Sequence, residues 1–235
     1  MWGECLLRST CVLESEMAKH LYILSEGELD EMFYERLAER VTGQVFQSDQ
    51  EFRLRLGSNW KSAMANAKLL ISRFKHWTAK QDIAVIIAVD NDRAPDHPGG
   101  RVYQPPLLKA DQRKEPRYSK LAEMLKTSLG EDRAAWPVDV ALAVPVEMIE
   151  SWVLTLLDPN RGELPAFSEA ESQSARSYHE GKPPPQLKDL CKQEAKASDQ
   201  SLDELFWKAA ESDLAPAMEA APSLKMFVDD LKVWS

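Results

Sequence analysis

The sequence predicts an α/β fold built on a mainly parallel, Rossmann-like sheet flanked by helices, and three observations carry that expectation. Short apolar runs alternate with amphipathic helical patterns between residues 21 and 157. One run, residues 83–89 (IAVIIAV), is apolar at every position rather than every second one. Such continuity marks a central strand covered on both faces. Acidic residues also fall at or just beyond the ends of three of these runs, where open α/β sheets bind their ligands.

The elements follow in order. Leu21-Tyr22-Ile23-Leu24 is a short apolar run stopped by Ser25-Glu26-Gly27, which reads as a buried strand and its turn. Leu29, Met32, Phe33 and Leu37 then recur at helical steps, with acids early in the segment that suit the positive end of a helix dipole. A second helix is expected from about Trp60 to Trp77, on the spacing of Ala63, Ala67, Leu70 and Phe74. The apolar strand at 83–89 ends abruptly at Asp90-Asn91-Asp92-Arg93, and residues 94–116 read as a long loop rich in Pro, Gly and charge. A helix from near Arg117 to about Leu129 precedes a further strand, residues 138–144, stopped by Pro145. Residues 147–157 are helical by the spacing of Met148, Trp152 and Leu156.

Beyond Leu157 the character changes. The organisation expected is an N-terminal extension at 1–16, a core at 17–165, a Pro- and Ser-rich linker at 166–186 and a helical C-terminal appendage at 187–235. Ser201-Leu202-Asp203-Glu204 has the pattern of a capping box, and a last helix between Pro216 and Trp234 should break or restart near Pro222.

Composition limits the function. A net charge of −9 argues against a simple basic platform for nucleic acid. The three cysteines, Cys5, Cys11 and Cys191, have no metal-ligand spacing, and their odd number fits a reducing cytoplasm better than a disulfide scaffold. No apolar run is long enough to span a membrane, and Met1-Trp2-Gly3-Glu4 does not open a signal peptide. Neither a Gly-x-Ser-x-Gly elbow nor a phosphate-binding Gly-x-x-x-x-Gly-Lys-Ser/Thr loop is present, which disfavours a serine hydrolase and a P-loop nucleotidase.

The acids at the strand ends are Glu26, Asp90 with Asp92, and Glu147 with Glu150. Parallel strands would gather them on one edge of the sheet. Two carboxylates about 4 Å apart repel by roughly 4 kcal/mol at the effective dielectric of a protein surface, so a proton or a cation must intervene. Oxygen-only donors favour Mg²⁺ or Mn²⁺, and such an ion polarises phosphate and acidifies bound water. Taken singly, each acid has a plainer reading: an Asp-x-Asp is common on loops, Glu26 resembles a helix cap, and Glu147 and Glu150 suit a solvated helix face.

In combination these segments resemble a known family. LYILSEGELD at 21–30 resembles the first motif of Toprim domains, and IIAVDNDR at 86–93 resembles the Toprim Asp-x-Asp motif. VPVEMIESWVL at 144–154 is similar to the Pro-x-x-Glu-Ile-Glu-x-Trp signature of small bacterial Toprim-like proteins related to OLD-family nucleases and RloB-like proteins. The resemblance covers about residues 18–157. It implies Glu26 as general base or metal ligand, Asp90 and Asp92 as metal ligands, and Glu150, or Glu147, as the residue that completes the site. Asp30 matches a further acidic position in some OLD-like motifs. For the basic group such enzymes hold near the scissile phosphate, Arg93 is the first choice, and Lys182 and Lys188 the second.

The expected function is therefore a cytoplasmic Mg²⁺- or Mn²⁺-dependent nuclease acting on DNA or RNA. The family's habits add anti-phage defence and an ABC-type or AAA ATPase partner, with the helical tail from residue 187 as the docking surface for that partner or a second copy. Two rivals stand beside it: a non-catalytic Toprim-like interaction module, and a phosphoryl transferase that is not a nuclease.

Overall fold

The computed structural model describes residues 19–25, 27–48, 60–74, 83–90, 117–145, 148–161 and 187–234. Strand β1 (His20–Leu24) ends at Ser25, whose hydroxyl donates to the Gly27 carbonyl at 3.0 Å and closes the turn. Helix α1 (Glu28–Thr42) follows, with Glu28, Asp30 and Glu31 in its first turn. It stops at Gly43, which adopts the left-handed conformation (φ 70°) and donates its N–H to the Glu39 carbonyl. A two-residue strand β2 (Gln47–Ser48) comes next, too short to leave a periodic trace in the sequence.

Helix α2 (Trp60–Phe74), strand β3 (Ile83–Ala88), helix α3 (Arg117–Leu129) and strand β4 (Asp139–Ala143) lie within the segments expected of them. Helix α4 (Glu150–Leu157) begins three residues later than its apolar spacing suggests, with Ile149 at its N-cap. Four C-terminal helices follow: α5 (Leu187–Ala197), α6 (Leu202–Glu211), α7 (Leu214–Ala220) and α8 (Pro222–Leu231). The capping box on Ser201 and Glu204 is formed, and Pro222 opens α8 as its first residue.

The strands form one sheet in the order β2-β1-β3-β4, every pair parallel. Their register is in phase: Leu24 lies beside Ile87, and Ala88 beside Ala143. The carboxyl ends of the three longer strands are thereby aligned on one edge. A buried ion pair, Lys19 Nζ to Asp139 at 2.8 Å, ties the starts of β1 and β4 together on the opposite edge.

Alternation along the strands divides the core in two. Val85, Ile87, Val89, Val140 and Leu142 face one way, against Ala67, Leu70, Ile71 and Phe74 of α2 and Leu121 and Leu125 of α3. Ala84, Ile86, Ala88, Ala141 and Ala143 face the other. The small side chains there leave room for the aromatic layer of α1, α4 and α8. Within it Trp152 stacks on Phe227 at 5.4 Å, meets Tyr34 edge-on at 6.2 Å and donates its indole N–H to Ser223.

The C-terminal helices are accordingly no appendage. Leu187, Cys191, Leu205, Phe206, Leu224 and Phe227 belong to the same apolar cluster as β1, β3 and β4. The physical reason is coverage, because α1 and the eight-residue α4 supply too little apolar surface for that face. Helix α8 also guards the outer edge of β4. Asp230 accepts the Leu142 N–H at 3.2 Å, and Arg133 donates to the Val140 carbonyl at 2.7 Å while pairing with Asp230. Ladder groups that would otherwise invite another strand are thus satisfied by side chains. No helix among the described residues is long and apolar enough to cross a membrane.

Candidate functional site

Strand order reverses at β1: its neighbour on one side is β2, and on the other β3. Helix α1, which follows β1, packs on one face of the sheet, and α3, which follows β3, packs on the other. The chain therefore leaves the carboxyl ends of these neighbouring strands in opposite directions, the arrangement that forms a crevice in such sheets. Ligands of open α/β sheets bind at such a point. Two of the sequence-derived acids are described on its rim.

Asp30 sits half-buried in the first turn of α1. Its carboxylate lies over the glycine that ends the β1 turn, where a Cβ on Gly27 would stand 3.6 Å from Oδ2. Asp90 lies two residues beyond the end of β3. The Val89 N–H still donates to the Ala143 carbonyl at 2.8 Å, so the β3–β4 ladder holds the chain up to that residue. Asp90 is then clamped twice. Its Oδ1 accepts the Ile149 N–H at 3.2 Å, and its carbonyl accepts a hydrogen bond from the Arg117 guanidinium. The first clamp draws the Asp90 carboxylate to the N-terminus of α4, where the helix dipole favours negative charge. It lands one residue before Glu150.

Glu150 is buried, 8% exposed. Burial raises its carboxyl above the usual glutamate range; its own backbone N–H and the charges of Lys188 and Lys192 pull the other way. Lys188, Cys191 and Lys192 share one face of α5, and the Cys191 sulfur lies 3.9 Å from the Glu150 carbonyl. The structure thus joins Glu150 electrostatically to Lys188, one of the three cations considered from the sequence. Cys191 itself is pushed up to about 12, first by burial and then by the Glu150 charge, so the thiol stays protonated. It is a packing residue, as its place in the helical pattern suggests.

Glu26, Asp92, Arg93, Glu147 and Lys182 lie outside the described residues. Among the described residues no group of three or more His, Cys, Asp or Glu side chains gathers to hold a metal. The donor chemistry nonetheless suits a hard divalent cation. Asp90 and Glu150 offer carboxylate oxygens, and a buried carboxylate with a raised pKa gains from a nearby positive ion. Mg²⁺ commonly keeps several waters and takes only one or two protein carboxylates. Three carboxylate ligands would require Glu26 or Asp92 in addition.

Sequence reasoning missed Arg117, which it read only as the start of a helix. The side chain is 4% exposed and reaches back to the end of β3. A signal was available. A cation in the first turn of a helix opposes the dipole, so Arg117 needed a contact elsewhere to justify its position. Comparison of the chain with protein-family models, with curated proteins and with solved structures returns no match.

Proposed function

We propose that the chain is a metal-dependent nuclease that hydrolyses phosphodiester bonds at the carboxyl edge of its sheet. The observation that carries this reading is the clamp on Asp90. Its carboxylate accepts the Ile149 N–H, one residue before the buried Glu150, at the carboxyl end of β3. Carboxylates held in this way are poor surface decoration and good cation ligands.

In the proposed site Asp90, Asp92 and Glu150 hold one or two Mg²⁺ or Mn²⁺ ions, with Glu147 and Asp30 as supporting acids. A bound ion would supply polarisation of the phosphate and acidification of a water. Glu26 orients the attacking water or accepts its proton. Arg93 and Lys188 neutralise phosphate charge, while Arg117 keeps the end of β3 in place through the Asp90 carbonyl. The likeness to OLD-family and RloB-like proteins extends the proposal to anti-phage defence beside an ATPase.

The test is cleavage of plasmid DNA and of total RNA with Mg²⁺ or Mn²⁺, alone and with any co-encoded ATPase. Cleavage by the wild type should fall by about a hundredfold or more in Glu26→Ala and in Asp90→Ala. No cleavage under any condition, with no Mn²⁺ binding by calorimetry, would leave a non-catalytic interaction module. Extension of a primer or release of free phosphate would point to a different phosphoryl transferase.

A further inference from the structure

The acidity of this chain is not spread evenly. Residues 52–81 carry seven cations (Arg53, Arg55, Lys61, Lys68, Arg73, Lys75 and Lys80) and no Asp or Glu, in a sequence of net charge −9. Helix α2 lies within this stretch. Helix α3 packs beside it on the same face of the sheet and adds Arg117, Lys120 and Lys126 against Glu123 alone. Two helices of the opposite layer have the reverse balance. On α1, Glu28, Asp30, Glu31, Glu35 and Glu39 outnumber Arg36 and Arg40. On α6, Asp203, Glu204 and Glu211 outnumber Lys208.

This segregation is displayed to solvent. Lys68 and Arg73 are exposed, together with Ala65, Leu69 and Ser72 on the same outer side of α2. Lys126, on α3, pairs with Glu131 at 3.2 Å and Arg117 is buried, so the positive character displayed to solvent is strongest on α2. Helix α3 begins at the carboxyl end of β3, where Arg117 is bonded to the Asp90 carbonyl. Helix α2 lies between β2 and β3 in the chain, two parallel strands of one sheet, so its axis leads back toward that carboxyl edge.

We infer that the outer face of α2 holds the phosphate backbone of a nucleic acid. The inference rests on the nuclease reading for its choice of polyanion, and it resolves the conflict between an acidic protein and an acidic substrate. Backbone phosphates are held by clustered Lys and Arg whatever the sign of the whole protein, and each neutralised phosphate releases counterions. The acidic helices α1 and α6 of the opposite layer repel the same polymer and disfavour its approach along them.

Binding is measured with the full chain by fluorescence anisotropy, using a short labelled DNA duplex and a labelled single-stranded RNA. EDTA is present throughout, so that binding is read apart from cleavage. Lys68→Glu with Arg73→Glu should weaken binding about tenfold or more and lower the slope of log affinity against log salt by about 2 between 50 and 200 mM. Lys68→Gln with Arg73→Gln should give a smaller loss of the same kind. Lys208→Glu, on the acidic layer, should leave affinity and slope unchanged. All three proteins should melt like the wild type, since the altered side chains are exposed. Equal losses from the α2 and α6 variants, or equal competition by polyglutamate, would overturn the inference, as would failure to bind either polymer. Binding through α2 without any cleavage would overturn the nuclease reading alone. Cleavage with an unchanged KM in the α2 variants would overturn the surface alone.

Discussion

At the scale of single residues, the chemistry of the candidate site depends on how each group is held. Asp90 is fixed through both its carboxylate and its carbonyl, by partners 59 and 27 residues away in sequence. Glu150 is buried against α5, where Lys188 and Lys192 offset part of the cost of its charge. Cys191 lies between these lysines in sequence, yet burial keeps its thiol protonated. In a chain carrying Cys5→Ser and Cys11→Ser, the remaining thiol should fail to react with a disulfide reagent at mildly alkaline pH while the protein is folded. It should react at once in denaturant. Rapid labelling of the folded protein would show that α5 opens readily from α4 and that Glu150 is less enclosed than its contacts indicate.

At the scale of elements, the edge strand β4 is controlled by one carboxylate. Asp230 bonds the Leu142 N–H and pairs with Arg133, which in turn bonds the Val140 carbonyl. Burial raises the Asp230 carboxyl above its ordinary value, and the Arg133 guanidinium and Leu142 N–H only partly reverse this. The folded state therefore binds this proton more tightly than the unfolded chain does. The stability it contributes is complete below the ordinary aspartate range and is lost as pH rises through the raised value. Asp230→Asn keeps an acceptor for Leu142 and removes the buried charge. Its stability relative to the wild type should rise between about pH 4 and neutrality in urea titrations. Asp230→Ala should cost about 1–3 kcal/mol, because it leaves a buried N–H without its acceptor. The same variant should self-associate through the bared edge, measurable by sedimentation.

At the scale of the whole molecule, the sheet is closed on one face by helices from both ends of the chain. Phe33 and Tyr34 of α1 meet Phe206 of α6 and Phe227 of α8 in edge-on contacts of about 6 Å. Removing residues 187–235 would expose the face that carries Ala84, Ile86, Ala141 and Trp152. The fragment 1–186 should therefore lose cooperative unfolding and bind a hydrophobic dye. A fragment that unfolds cooperatively would restore the appendage reading suggested by the proline-rich stretch at 166–186.

The sequence by itself determined the parallel α/β class and the succession of strands and helices from β1 to α4. Those features follow from local apolar periodicity, which survives without knowledge of any partner. It also marked Asp90 and Glu150, because strand ends are visible as the abrupt stop of an apolar run, whereas Asp30 and Lys188 were marked only by the family resemblance. It did not reveal β2, whose two residues carry no period. Nor did it reveal the role of Arg117, whose contact with Asp90 joins positions 27 residues apart. Only the tertiary structure decided that α5–α8 complete the core, since apolar stripes on isolated helices do not say what they cover. The nearness of the α5 lysines to Glu150 likewise comes from packing. Interactions set by spacing within one segment can be read along the chain, whereas those set by which surfaces meet require the fold.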